Sequence, residues 1–68
     1  MRLIINGEPR DFSKDLTLSS LIEQLGMRSD RLAIELNRDI VPRTRWSEVT
    51  LNEGDRLEIV HFVGGGLD

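Results

Sequence analysis

The residues with the clearest chemical meaning stand together late in the sequence: Ile59-Val60-His61-Phe62-Val63-Gly64-Gly65-Gly66. An apolar strand runs into three glycines. Glycine has no side chain to hold a sheet, and it loses the most backbone entropy on ordering. A folded domain over residues 1–63 and a flexible glycine-rich tail over 64–68 are therefore expected. Such a tail adds nothing to a core. It suits delivery into a partner enzyme with a narrow channel, where only glycine lets the backbone pass close walls.

The remaining reactive side chains read as structural. His61 shares strand parity with Leu57 and Ile59, which makes it a core or rim residue and no base. Thr17, Ser19 and Ser20 fall where a helix begins, and capping accounts for them. Arg38, Arg43 and Arg45 form one basic stretch, read first as a solvated loop and second as a docking site for an acidic partner surface. No acid, base and nucleophile set is apparent. With one histidine and no cysteine, the chain offers no thiolate metal site and no disulfide. Nine basic and twelve acidic residues give a net charge of -3. That balance argues against nucleic acid as a ligand. No apolar run approaches the roughly 18 residues of a membrane span, and no signal peptide is visible. A soluble, cytoplasmic protein with no membrane partner is expected. At 68 residues the chain makes one small domain with a thin core.

The elements that must position the tail can be read in order. Arg2 to Ile5 is a strand by its branched apolar residues. Asn6-Gly7 is a strong hairpin signal, because both residues accept positive φ. Glu8 to Phe12 is the return strand, placed at a sheet edge because Pro9 cannot donate to a ladder. Thr17 caps a helix whose apolar stripe is Leu18, Leu21, Ile22 and Leu25, and Gly26 ends it. Leu32 to Asn37 alternates, with Leu32, Ile34 and Leu36 on one face. Asn37-Arg38-Asp39 turns the chain, and Ile40-Val41 forms a short strand stopped by Pro42. A single helical turn is expected within Thr44 to Glu48, with Trp46 as a lid over the core. Val49 to Leu51 is extended, Asn52 to Asp55 is a turn, and Arg56 to Val63 is the last strand.

One helix over one face of a mixed, four- to five-stranded sheet is an α+β layout. With the first and last strands parallel neighbours, it becomes the β-grasp, or ubiquitin-like, fold. The last strand carries an irregularity. Arg56 and Glu58 take its outer face, yet Val60 and Phe62 on that same face are apolar. Ile4 has outward parity as well. Ile4, Val60 and Phe62 are thus expected to form an exposed apolar patch beside the tail, the mark of a contact surface.

Several segments together resemble the ubiquitin-like sulfur carriers, and among them the ThiS family of bacterial thiamine biosynthesis. They are Asn6-Gly7, Glu35-Leu36-Asn37, Ile40-Val41-Pro42-Arg43, Trp46, Gly54-Asp55 and the run from Ile59 to Gly66. The likeness covers residues 1 to 66. The Gly54-Asp55 turn with a terminal glycine pair is common to these carriers. The Val-Pro-Arg segment and the His-Phe-Val-Gly-Gly-Gly run point to the thiamine branch.

The resemblance implies a carrier and not an enzyme. An E1-like adenylyltransferase would activate the carboxylate of Gly66 with ATP. Sulfur from a cysteine desulfurase or another donor would displace AMP, leaving a thiocarboxylate for thiazole synthase. This chain would bind no cofactor itself, since ATP and metal are supplied at the activating enzyme. Ile4, Val60, Phe62, Val63, Gly64 and Gly65 would contact the partner. Leu67-Asp68 come after Gly66 and depart from the family's glycine end, so their removal is expected. Three alternatives remain at this point: a carrier for molybdopterin or another sulfur pathway, a ubiquitin-like modifier, and a β-grasp binding module.

Overall fold

The strand and turn chemistry produces a five-stranded sheet crossed by one helix. In a computed structural model, which describes residues 1–62, the strands are β1 (Arg2–Ile5), β2 (Glu8–Asp11), β3 (Leu32–Leu36), β4 (Asp39–Ile40) and β5 (Arg56–His61). The helix α1 spans Leu18–Gln24, and 3₁₀ turns occupy Ser29–Arg31 and Arg43–Arg45. The spatial order is β2-β1-β5-β3-β4. β1 and β5 are parallel, while β5 with β3, β1 with β2 and β3 with β4 are antiparallel. This is the expected β-grasp arrangement, with the last strand at its centre. Val63, the tail expected at 64–68, and the glycines within it lie outside the described residues.

Asn6 and Gly7 both take positive φ, 50° and 85°, as a two-residue hairpin turn requires. β2 lies at the sheet edge as Pro9 demands, and stops at Asp11, one residue short of the expected Phe12. Phe12 still bonds back to β1's start, its N–H donating to the Met1 carbonyl at 2.7 Å.

The helix begins as its sequence predicts. Thr17 Oγ1 accepts from the Ser20 N–H at 3.1 Å. The Leu18 and Ser19 N–H groups donate to the Val49 and Trp46 carbonyls. The orphan donors of the first turn are thus satisfied partly by the loop that packs across it. At the other end Gly26, at φ 71°, donates to the Glu23 carbonyl while Met27 donates to that of Ile22. That pair of bonds is a Schellman stop. Leu18, Leu21 and Ile22 are buried against Leu3, Ile5, Ile34, Leu57 and Ile59 of the sheet. Trp46 closes this core at 2% exposure, with its indole N–H donating to the Val41 carbonyl at 2.8 Å.

Further boundaries differ from expectation. The second hairpin uses only Asn37 and Arg38 as its loop, both at positive φ, so pairing resumes at Asp39 and β4 is Asp39–Ile40. Val41 keeps one bond to β3, from its N–H to the Ile34 carbonyl. The helical turn near Trp46 lies one residue earlier, at Arg43–Arg45, because Pro42 ends β4 and starts it. β5 ends at His61, short of the expected Val63, since β3 offers Leu32 as its last partner.

Candidate functional site

The site is the outer face of the sheet where β5 runs out. β5's parity is as expected: Leu57 and Ile59 are buried, whereas Arg56, Glu58, Val60 and Phe62 are exposed. Val60 is 57% exposed and Phe62 52%. These are large apolar side chains left in water at the end of the central strand. His61 is exposed at the rim opposite Leu32.

Ile4 has the expected outward parity but not the expected neighbours. The parallel pairing sets Ile4 opposite Arg56, four residues from Val60 along β5. At about 3.3 Å per residue that is roughly 13 Å. Glu58 and its direct cross-strand partner Glu35 stand between them. Ile4 is half-buried and borders a polar depression with Glu35, Asn37, Arg38, Arg56 and Glu58. The single patch expected from parity is therefore two, because register and not parity decides which rows touch.

Ile40 takes the place that sequence reading gave to Ile4. It is 72% exposed and pairs with Glu35. With Val60 and Ala33 it lines a shallow groove of about 220 Å³. The signal was present in the sequence. A two-residue loop at Asn37-Arg38 puts Ile40 opposite Glu35, an outward position.

The end of β5 is held on both flanks. On one side the Phe62 N–H donates to the Arg31 carbonyl at 2.7 Å. Arg31 belongs to the 3₁₀ turn Ser29–Arg31, which sequence reading missed. The preceding Arg28 clasps Asp30 through two bonds of 3.3 and 3.2 Å, and this holds the Asp30 carboxyl below its ordinary range. A depressed carboxyl stabilises the turn above the unfolded pKa, and that contribution is lost as pH falls through the folded value. On the other side Asn6 bonds Ile59 twice: the Ile59 N–H donates to Oδ1 at 2.7 Å, and Nδ2 donates to the Ile59 carbonyl at 3.2 Å. Of the three arginines in the basic stretch, Arg45 pairs with Glu48 at 3.3 Å, and Arg38 borders the polar depression.

The exposed apolar end of β5 is followed in the sequence by Val63 and three glycines. Residues 3–66 match the ThiS family. The chain belongs to that family. The ThiS resemblance seen in the sequence is thereby confirmed, and the fold agrees. The crystal structure of a thiamine biosynthesis protein (ThiS) from Geobacter metallireducens superposes with a TM-score of 0.84 at 29% identity, covering 97% of this chain and 100% of that one. The sulfur carrier protein ThiS of Bacillus subtilis is 37% identical over 94% of this chain and 98% of its own. A thiazole synthase of Paramagnetospirillum magneticum is 48% identical over the whole of this chain. The chain spans 21% of that synthase, about a fifth of its length. The ThiS-like unit thus occurs both as a small protein and as a segment of a thiazole synthase. The six positions from Val63 to Asp68, with the assigned Gly66, Gly65 and Gly64 among them, lie outside the described residues.

Proposed function

We propose that this ThiS-family chain is a sulfur carrier for thiazole formation in thiamine biosynthesis, and that it serves its partner enzymes as a protein substrate. The observation that carries the reading is the path of β5. The central strand of the sheet carries exposed Val60, exposed Phe62 stands just past its end, and Val63-Gly64-Gly65-Gly66 come next in the sequence. The match to curated sulfur carriers over nearly their full length supports it.

The chemistry explains why a carrier needs so little of its own. A carboxylate is a poor electrophile until it bears a good leaving group. An E1-like adenylyltransferase supplies ATP, and the Gly66 carboxylate oxygen attacks the α-phosphorus as pyrophosphate departs. Sulfide then adds to the acyl carbon and AMP leaves with the C–O electron pair; where a cysteine desulfurase supplies the sulfur as a persulfide, the same displacement gives an acyl disulfide, whose S–S bond a thiol reductant must cleave. The product is a thiocarboxylate on Gly66. The activating enzyme provides the nucleotide, the metal and the electrostatic stabilisation of the developing charge. This chain provides an end without side chains and a face to grip. Val60, Phe62 and Ile40 form the near part of that face, and Ile4 lies at its far end beyond Glu35 and Glu58. Thiazole synthase is the acceptor, a reading supported by the synthases that contain a segment like this chain.

Mass spectrometry after incubation with activating enzyme, ATP and a sulfide source tests this reading. The expected result is exchange of one terminal oxygen for sulfur. Isopeptide adducts on lysines would point to a modifier, and an unchanged mass after correct processing would point to a binding module.

A further inference from the structure

The hydrogen bonds of β5 alternate between its two neighbours. Arg56 and Phe62 turn their N–H groups to the β3 side, meeting Asn37 Oδ1 at 3.0 Å and the Arg31 carbonyl at 2.7 Å. Residues of odd number face β1: the Asp55 and Leu57 carbonyls accept from the Ile4 and Asn6 N–H groups. β1 ends at Ile5, opposite Leu57. Beyond it the β1 lane is occupied by a side chain, the amide of Asn6, which pairs with both backbone groups of Ile59. A carboxamide carries one donor and one acceptor arm, so it substitutes for a peptide unit that the hairpin turn has taken away. His61, next on that edge, has no further β1 residue beside it. Among the described residues, the Asn6 amide is the last tie on this flank before the chain leaves the sheet.

We propose that Asn6 is a positioning residue for the carrier reaction: its amide pins Ile59 and so sets where and at what angle β5 releases the segment that leads to Gly66. The proposal rests on the carrier reading. The physical ground is leverage. Val60 and Phe62 must meet the partner at one place and angle, and a misplacement of about 1 Å made far from the chemistry can cost on the order of 100-fold in rate. A strand end held on one flank only can swing, and Asn6 supplies the second flank. Asparagine suits both tasks at this position, since it tolerates the φ of 50° that the turn demands and carries the amide.

The molecule contains its own control. Asn37 opens the other hairpin at the same φ of 50° and also bonds β5 through Oδ1, but at Arg56, the end far from the glycines. Asn6→Gly and Asn37→Gly each keep a turn of positive φ and each remove side-chain bonds to β5. The test compares both with the full-length parent, at a temperature where all are folded. Amide exchange at Ile59, Val60 and Phe62 should quicken about 2- to 10-fold in Asn6→Gly. In Asn37→Gly the faster exchange should fall at Arg56. In the complete reaction, with activating enzyme, ATP, sulfide and cell extract for processing, Asn6→Gly should lower kcat/KM for thiocarboxylate formation about 10- to 100-fold. Asn37→Gly should leave it unchanged. Asn6→Asp keeps the Oδ1 acceptor and should recover part of the loss; it takes over the comparison should Asn6→Gly not fold. Equal losses in the two glycine variants, or none in Asn6→Gly, would overturn the positioning role. If the parent itself takes up no sulfur, the carrier reading fails. The exchange data then decide alone, and unchanged exchange at Val60 and Phe62 in Asn6→Gly refutes the proposal.

Discussion

Phe62 and Arg38 are placed where a single side chain has a readable consequence. Phe62 is about half exposed, so its replacement should alter folding by no more than about 0.5 kcal/mol. Docking is another matter. A carboxylate carried into an apolar contact loses its water without gaining a partner, and even a neutral polar group so treated costs about 2 kcal/mol. Phe62→Asp should therefore remain folded yet lose at least about 30-fold in adenylation efficiency, since about 1.4 kcal/mol is tenfold. Pyrophosphate release with the activating enzyme measures this, and normal turnover by the folded variant would remove Phe62 from the interface. Arg38 stands at φ 76°, a left-handed conformation that disfavours every residue with a Cβ. The corresponding position of the first hairpin holds Gly7. Arg38→Gly should accordingly raise stability by up to about 1 kcal/mol, read from the urea midpoint. A lower midpoint would show that the side chain of Arg38 holds the second hairpin together.

At the scale of elements, α1 owes its existence to packing more than to propensity. Seven residues are too few for an isolated helix to persist in water. Its caps define where it starts and stops, and its buried stripe keeps it in place. Leu21 and Ile34 are fully buried in one cluster, as the apolar spacing of helix and strand requires. Leu21→Ala should cost about 2–5 kcal/mol, a large part of the stability of so small a domain. Thermal or denaturant melting checks this, and a parent-like transition would mean that the helix does not seat this face on the sheet. The same core fixes β5 from beneath through Leu57 and Ile59, so damage to the helix should reach the strand that bears the tail.

For the whole molecule, the decisive matter is the pair of residues beyond Gly66. In this sequence they are Leu67 and Asp68, and the related thiazole synthases are about five times the length of this chain. A partner channel narrow enough to admit only glycine backbone would exclude a leucine side chain. In a 68-residue chain tested as such, an adenylate on Asp68 would also sit beside that residue's own carboxylate. Intramolecular attack in a well-oriented case has an effective molarity of about 10⁵–10⁸ M, so a cyclic anhydride would form and hydrolyse. The prediction is that scission after Gly66 precedes activation. With purified activating enzyme and sulfide, a chain ending at Gly66 should gain sulfur, and the 68-residue chain should do so only after trimming by cell extract. A stable thiocarboxylate at Asp68 would overturn both the processing step and the role of Gly66.

The sequence by itself determined the features that depend on neighbours along the chain. The Asn6-Gly7 turn, the Thr17 cap, the Gly26 stop, the helical stripe and the inward parity of Leu57 and Ile59 come from backbone sterics and from periods of 3.6 and 2. The ThiS likeness came from the same local strings, with the run from Ile59 to Gly66 foremost. Tertiary structure decided everything that depends on register between strands distant in sequence. Parity places Ile4 on the outer face, but the pairing of β1 with β5 alone sets it beside Arg56 and leaves Val60 with Ala33 and Ile40. The second role of Asn6 was hidden for the same reason. A turn residue is recognised from its own φ preference, whereas the 53 residues separating it from Ile59 are closed only when β5 slides in next to β1. The turn at Ser29–Arg31 carries no periodic signal, and it acquires a purpose only when Phe62 arrives to bond its last carbonyl.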